Sequence, residues 1–138
     1  MQFLVISPQH PDYAHHIRRL AAAFSAIDTP KDDYQDMCRQ LSAGTLSLYH
    51  ATGDGADLSI VGEIDGHSYY VWAIAGKGFR PGVAELLKRI KQAGLKSITY
   101  ATAKTGMRRL SRFFGEVRET QNEWQENGRL CTWHELEV

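Results

Sequence analysis

The chain has 138 residues, 43% of them hydrophobic and 23% charged, and its 16 basic residues are balanced by 16 acidic ones. That length suits one domain over 1–138 with room for a real core, and that composition excludes a disordered or collagen-like chain. The sequence has no apolar run near the ~18 residues needed to cross a membrane, no basic region before the N-terminal apolar stretch, and only two distant cysteines, Cys38 and Cys131, so a reducing, cytoplasmic setting is the expectation.

In chain order, residues 3–6 read as a short strand stopped by Ser7-Pro8. A helix follows Pro11-Asp12. Tyr13, Ile17, Leu20, Phe24 and Ile27 recur at helical spacing and form its inner stripe, with His15, His16, Arg18 and Arg19 off that stripe. His15 and His16 are a weak metal signal, because adjacent helical residues point about 100° apart and cannot share an ion as i and i+4 can. A second helix starts at Thr29-Pro30, with Thr29 as N-cap accepting from the Asp32 amide and Pro30 in the first helical position. It turns Tyr34, Met37, Cys38 and Leu41 inward and stops at Gly44.

Three antiparallel strands come next, over 45–51, 57–64 and 68–75, joined by Gly53-Asp54-Gly55 and by Asp65-Gly66. The third, ending in the run 69–75, lacks polar alternation and reads as a central strand covered on both faces. It feeds through Gly76-Lys77-Gly78 into a helix opened by Pro81 and closed by Gly94, with Val83, Leu86, Leu87 and Ile90 inward and Lys88, Arg89 and Lys91 outward. A strand that passes through a glycine turn into a helix N-terminus suits an anion, because first-turn amides point outward and the helix dipole favours negative charge there. Residues 97–102 form a strand parallel to 69–75, as a helical crossover requires. A helix over 105–114 then sets Met107, Leu110, Phe113 and Phe114 against Arg108, Arg109 and Arg112. A hairpin of 117–125 and 129–137 closes the chain around Asn127-Gly128, a pair that suits a type I′ turn.

Charge is unevenly placed along this order. From Lys77 to Arg118 eleven Lys/Arg stand against Glu85 and Glu116, a net +9, and the remainder carries −9. Such a split points to an anionic partner or to solvated helix faces of one sign. Nucleic acid is one candidate, through Lys104, Arg108, Arg109 and Arg112, but no nucleic-acid-binding motif accompanies them.

The order β-α-α-β-β-β-α-β-α-β-β over nearly the whole chain resembles the GNAT superfamily of acyl-CoA-dependent N-acyltransferases. The resemblance implies an α+β fold with a central mixed sheet flanked by helices. It implies acetyl-CoA as coenzyme, no metal, and an amine acceptor. In that family the fourth strand holds the pantetheine arm and the following loop and helix N-terminus take the pyrophosphate. Carried onto this chain, those roles fall to Trp72, Ala73 and Ile74 on the strand, and to Lys77, Gly78, Arg80, Gly82, Val83 and Ala84 after it. Gly82-Val83-Ala84 matches the second half of the loop pattern, while Phe79 stands at its Arg/Gln position and Pro81 removes one amide. Leu110 falls where the family often has an acidic tyrosine, so the candidate catalytic residues are Tyr100, near the end of the parallel strand, and Glu63, on the neighbouring one. A similarity to short bacteriophage proteins with a degenerate GNAT-like fold implies a second reading: a non-catalytic interaction or structural protein, with a protein partner and a place in a virion.

Overall fold

The computed structural model describes residues 1–26, 29–102, 114–115 and 117–138. The expected helix over 105–114, with Leu110 and the arginines around it, lies outside the described residues apart from Phe114.

The observed elements are β1 (Gln2–Val5), α1 (Tyr13–Leu20), α2 (Pro30–Ala43), β2 (Ser47–Gly53), β3 (Ala56–Asp65), β4 (Ser68–Lys77), α3 (Phe79–Gln92), β5 (Ser97–Thr102), β6 (Val117–Trp124) and β7 (Leu130–Glu137). They build a seven-stranded sheet in the order β1-β2-β3-β4-β5-β7-β6, with β4 in the middle. Among the described residues only β4 and β5 run parallel; every other neighbouring pair is antiparallel. This is the mixed α+β class that the element order implies.

Helices cover both faces of the sheet. On one, Leu20, Phe24, Met37 and Leu41 pack against Leu48, Val61 and Ala73. On the other, Leu86 and Ile90 of α3 pack against Leu58, Ile60, Tyr69, Ile98 and Leu136. A strand packed on both sides has no polar face to present, which is why β4 reads as a continuous apolar run.

Several local details depart from the sequence reading. The first helix ends at Leu20 and tightens into a 3-10 turn, Ala21–Phe24. His16, expected off the buried stripe, is 1% exposed. Thr29 makes no side-chain cap, although Pro30 opens α2 and Gly44 closes it in the left-handed region at φ 80°. Helix α3 begins at Phe79 rather than Pro81, with Gly78 as its N-cap. In the final hairpin only Gly128 has positive φ, while Asn127 does not, and the Gly128 amide donates to the Gln125 carbonyl at 3.1 Å. That is a type I turn followed by a left-handed glycine rather than the expected I′ turn, which needs positive φ at both central residues.

Candidate functional site

The site is built by the way β4 treats its two neighbours. Against β3 it is paired from Ser68↔Asp65 to Lys77↔Asp57. Against β5 it is paired only from Ser68↔Ser97 to Val71↔Tyr100. Beyond that point β4 runs on to Lys77 and β5 to Thr102 without pairing to each other. The register of β3 and β4 shifts here too: Val61 opposes Ala73 and Gly62 opposes Val71, which leaves Trp72 as an extra residue on β4. A bulge of this kind bends and twists its strand, and it stands where β5 is left behind. The result is a slot in the middle of the sheet. It opens into a cavity of about 120 Å³.

Both sheet faces contribute to that cavity. Among the described residues Ala23, Trp72, Ala73 and Ala101 line it near the face covered by α1 and α2, while Val71, Ile74, Phe79, Val83 and Leu86 line it toward α3. Tyr100 and Thr102 are its polar side chains. Of the sequence candidates, then, Trp72, Ala73, Ile74, Val83 and Tyr100 are brought together around one space. Lys77, Arg80 and Ala84 are exposed at the junction of β4 and α3 and do not line it. Glu63 does not line it either, but it is tied to its wall: the indole Nε1 of Trp72 donates to Glu63 Oε1 at 3.3 Å. Glu63 shares the face of Val61, two residues before it on β3, whereas Tyr100 pairs with His134 and stacks on its ring at 5.1 Å. His134 Nε2 lies 2.6 Å from Thr132 Oγ1. The two catalytic candidates therefore approach the slot from different directions, Glu63 from the face of Val61 and Tyr100 from the face of Ile98.

The glycine turn answers to packing as much as to any ligand. A Cβ on Gly76 would sit 2.1 Å from the Asp57 carbonyl oxygen, and one on Gly78 would sit 2.5 Å from Ala56 Cα. A Cβ on Gly82 would meet Leu58 Cδ1 at 2.2 Å. These glycines let α3 start tight against the beginning of β3. The Gly82 amide donates to the Gly78 carbonyl at 3.1 Å and Pro81 has no amide hydrogen, so the start of α3 has fewer amides to turn toward an anion than a helix without that proline. Phe79, the departure from the loop pattern, is a wall residue: its ring meets Phe114 edge-on, with centroids 6.1 Å apart and planes 62° apart.

A polar cluster that sequence reasoning missed locks the β3 side. Arg19 on α1 donates from Nε and Nη2 to Ser59 Oγ at 3.0 and 2.8 Å, and from Nη1 to Asp57 Oδ1 at 3.0 Å. Because Ser59 accepts from Arg19, its own hydroxyl donates to His16 Nδ1, 2.6 Å away. The His16 proton is then on Nε2, which is buried with no hydrogen-bond partner. Burial first, then His50 and Arg19, lower the His16 pKa to about 4. His50 stands edge-on to His16 at 4.5 Å and bonds Asp57 through Nε2 at 2.8 Å. That hydrogen bond, with Arg19 adding to it against burial, holds the Asp57 carboxyl below its ordinary range. The only sequence signal was the His/Arg group on α1, and its partners on β2 and β3 could not be paired to it without the register. Among the described residues no group of three or more His, Cys, Asp or Glu is arranged to hold a metal, and no helix is long and apolar enough to cross a membrane.

No protein-family model matches the sequence, and no curated protein does. Solved structures do match in shape. The ribosomal-protein-S18-alanine N-acetyltransferase of Escherichia coli superposes with a TM-score of 0.67 at 10% identity, covering 99% of this chain and 94% of that one. FeeM, an N-acyl amino acid synthase from uncultured soil microbes, gives 0.59 at 7% identity over 99% and 95% of the two chains. TofI, solved in a ternary complex with an inhibitor and MTA, gives 0.53 at 13% over 99% and 91%. At such identities the likeness speaks for the fold. Together with the element order and the parted β4–β5 pair, it makes this the GNAT fold.

Proposed function

We propose that this chain is an acyl-CoA-dependent N-acyltransferase, with acetyl-CoA or another acyl-CoA as donor and an amine as acceptor. The observation that carries this reading is the parting of β4 from β5 after Val71↔Tyr100, with an apolar cavity at the gap. Backbone N–H and C=O groups need partners, and among the described residues the half of β4 facing the gap has no strand there to supply them. An extended arm bearing amides fits such an edge as an added strand does. The names of the E. coli and soil-microbe neighbours, an N-acetyltransferase and an N-acyl amino acid synthase, support the same class of reaction.

In this reading Trp72, Ala73 and Ile74 hold the arm, and Lys77, Gly78, Arg80, Gly82, Val83 and Ala84 form the phosphate end, where Lys77 and Arg80 are exposed and cationic. The bound coenzyme supplies an acyl group activated as a thioester. Glu63, beside Trp72, accepts a proton from the incoming amine through water. Tyr100, at the last position where β5 pairs with β4, donates a proton to the departing sulfur. Holding the amine and the donor in line at the bulge supplies the remainder of the rate.

Calorimetric titration with acetyl-CoA tests the reading. Saturable heat that Val83→Asp abolishes is expected, and no detectable heat at millimolar coenzyme overturns it. The non-catalytic alternative is favoured by the narrow anion seat at α3, where Pro81 and the Gly82–Gly78 bond leave few amides. Coenzyme binding with no acyl transfer to any amine in a broad panel would select it.

A further inference from the structure

We propose that the deep end of the slot is an acyl-chain pocket, so that the preferred donor carries a medium-length acyl group rather than acetyl. This rests on the acyl-CoA reading above and names the substrate class of the same site.

The cavity does not stop where β4 and β5 part. It reaches Ile98, which is paired with Tyr69 two residues before the parting point, and Leu136, which is paired with Ile98 on β7. Leu86 of α3 and Phe114 complete that end. Leu86, Ile98 and Leu136 are 5%, 4% and 3% exposed, so this wall lies within the α3-side core. The polar side chains of the cavity, Tyr100 and Thr102, stand farther along β5, and the open backbone of β4 begins at Trp72.

Polarity then divides the slot. Amide groups on a coenzyme arm need hydrogen-bond partners, and burying one without a partner costs about 1–3 kcal/mol or more. The open half of β4 can provide partners; among the described residues the deep end is lined by the apolar side chains of Leu86, Ile98, Phe114 and Leu136. A hydrocarbon chain needs none. An acetyl group adds one methyl beyond the thioester and leaves that wall uncovered, whereas a longer chain covers it. The whole slot is about 120 Å³, shared between the arm and this deep end.

Calorimetry on the full chain with acetyl-, butyryl-, hexanoyl- and octanoyl-CoA measures the effect. Affinity should rise about fourfold per added methylene until the pocket is filled, so that hexanoyl-CoA binds on the order of a hundredfold more tightly than acetyl-CoA. Leu86→Phe should remove most of that gain. Leu136→Ala, which extends the pocket, should move the tightest-binding chain to a longer one and tests the idea even where the phenylalanine variant does not fold. Equal affinity for acetyl- and hexanoyl-CoA overturns the chain pocket and leaves the acyltransferase reading in place. No heat with any of the four overturns both.

Discussion

The two flanks of β4 are built from one strand and do opposite work. On the β3 flank the strands stay paired to Lys77, and the α1 side is clamped by Arg19, Ser59, His16, His50 and Asp57. On the β5 flank pairing stops at Val71 and apolar side chains face a cavity. The extra residue at Trp72 sits between these behaviours. A sheet can afford such a gap in its middle only if the other flank is held firmly, and the clamp supplies that hold.

The comparison breaks most visibly at Ile60 and Ile74, which face each other across β3 and β4. Ile60 is fully buried. Ile60→Ala should cost about 2–5 kcal/mol in urea unfolding, through lost burial and the void left behind. Its neighbour on the open side behaves otherwise, and that contrast returns as the smallest effect below.

Acid should loosen the clamped flank next. His16 has a pKa of about 4 in the fold against an ordinary 6.5. Between those values the unfolded chain binds the extra proton and the folded one does not, so stability is complete above the unfolded value and declines as pH falls toward the folded one. The loss is on the order of 3 kcal/mol for this group. Asp12 is the one charge near His16 that opposes its depression. Asp57, held below its ordinary value of 3.8, keeps its contribution until the pH is lower still. Thermal melts recorded across the acid range should show the decline in the wild type and a flatter profile in His16→Gln. Parallel profiles for the two proteins would dismiss His16 as the cause.

Tyr69 sharpens the picture with the opposite sign. Its hydroxyl is buried against Gly62 with no hydrogen-bond partner, and burial raises its pKa well above the ordinary tyrosine value. Tyr69→Phe removes a polar group that has lost water and gained nothing, so it should stabilise the fold by about 1 kcal/mol. A chemical-denaturation midpoint that falls instead would mean that the hydroxyl is satisfied in solution.

The smallest stability change belongs to Ile74→Ala, about 1 kcal/mol or less, because this side chain already borders open space. Its effect should appear instead as a roughly tenfold weaker affinity for acyl-CoA. A stability loss as large as that of Ile60→Ala would mean that the two flanks are not distinct.

Much of this molecule was legible in its residues. The stripes at helical spacing, Pro30 and Gly44 around α2, and the apolar run of β4 follow from local chemistry: side-chain period, cap geometry and the absence of polar alternation. The order of those elements was enough to point to the fold. The crossover helix also put β5 beside β4, while the grouping of Trp72, Ala73, Ile74 and Val83 came from the resemblance to the GNAT superfamily. What sequence could not show was how far that pairing runs. Register is a tertiary quantity, set by the bulge at Trp72 and by packing on both faces. For the same reason the glycines at 76, 78 and 82 looked like a phosphate turn, although each is also required by close contact with β3. His16 looked like a surface histidine because its partners come from β2 and β3, more than thirty residues away along the chain. Local pattern determined which elements form. Only the assembled sheet decided where two of them separate, and the slot exists at that separation.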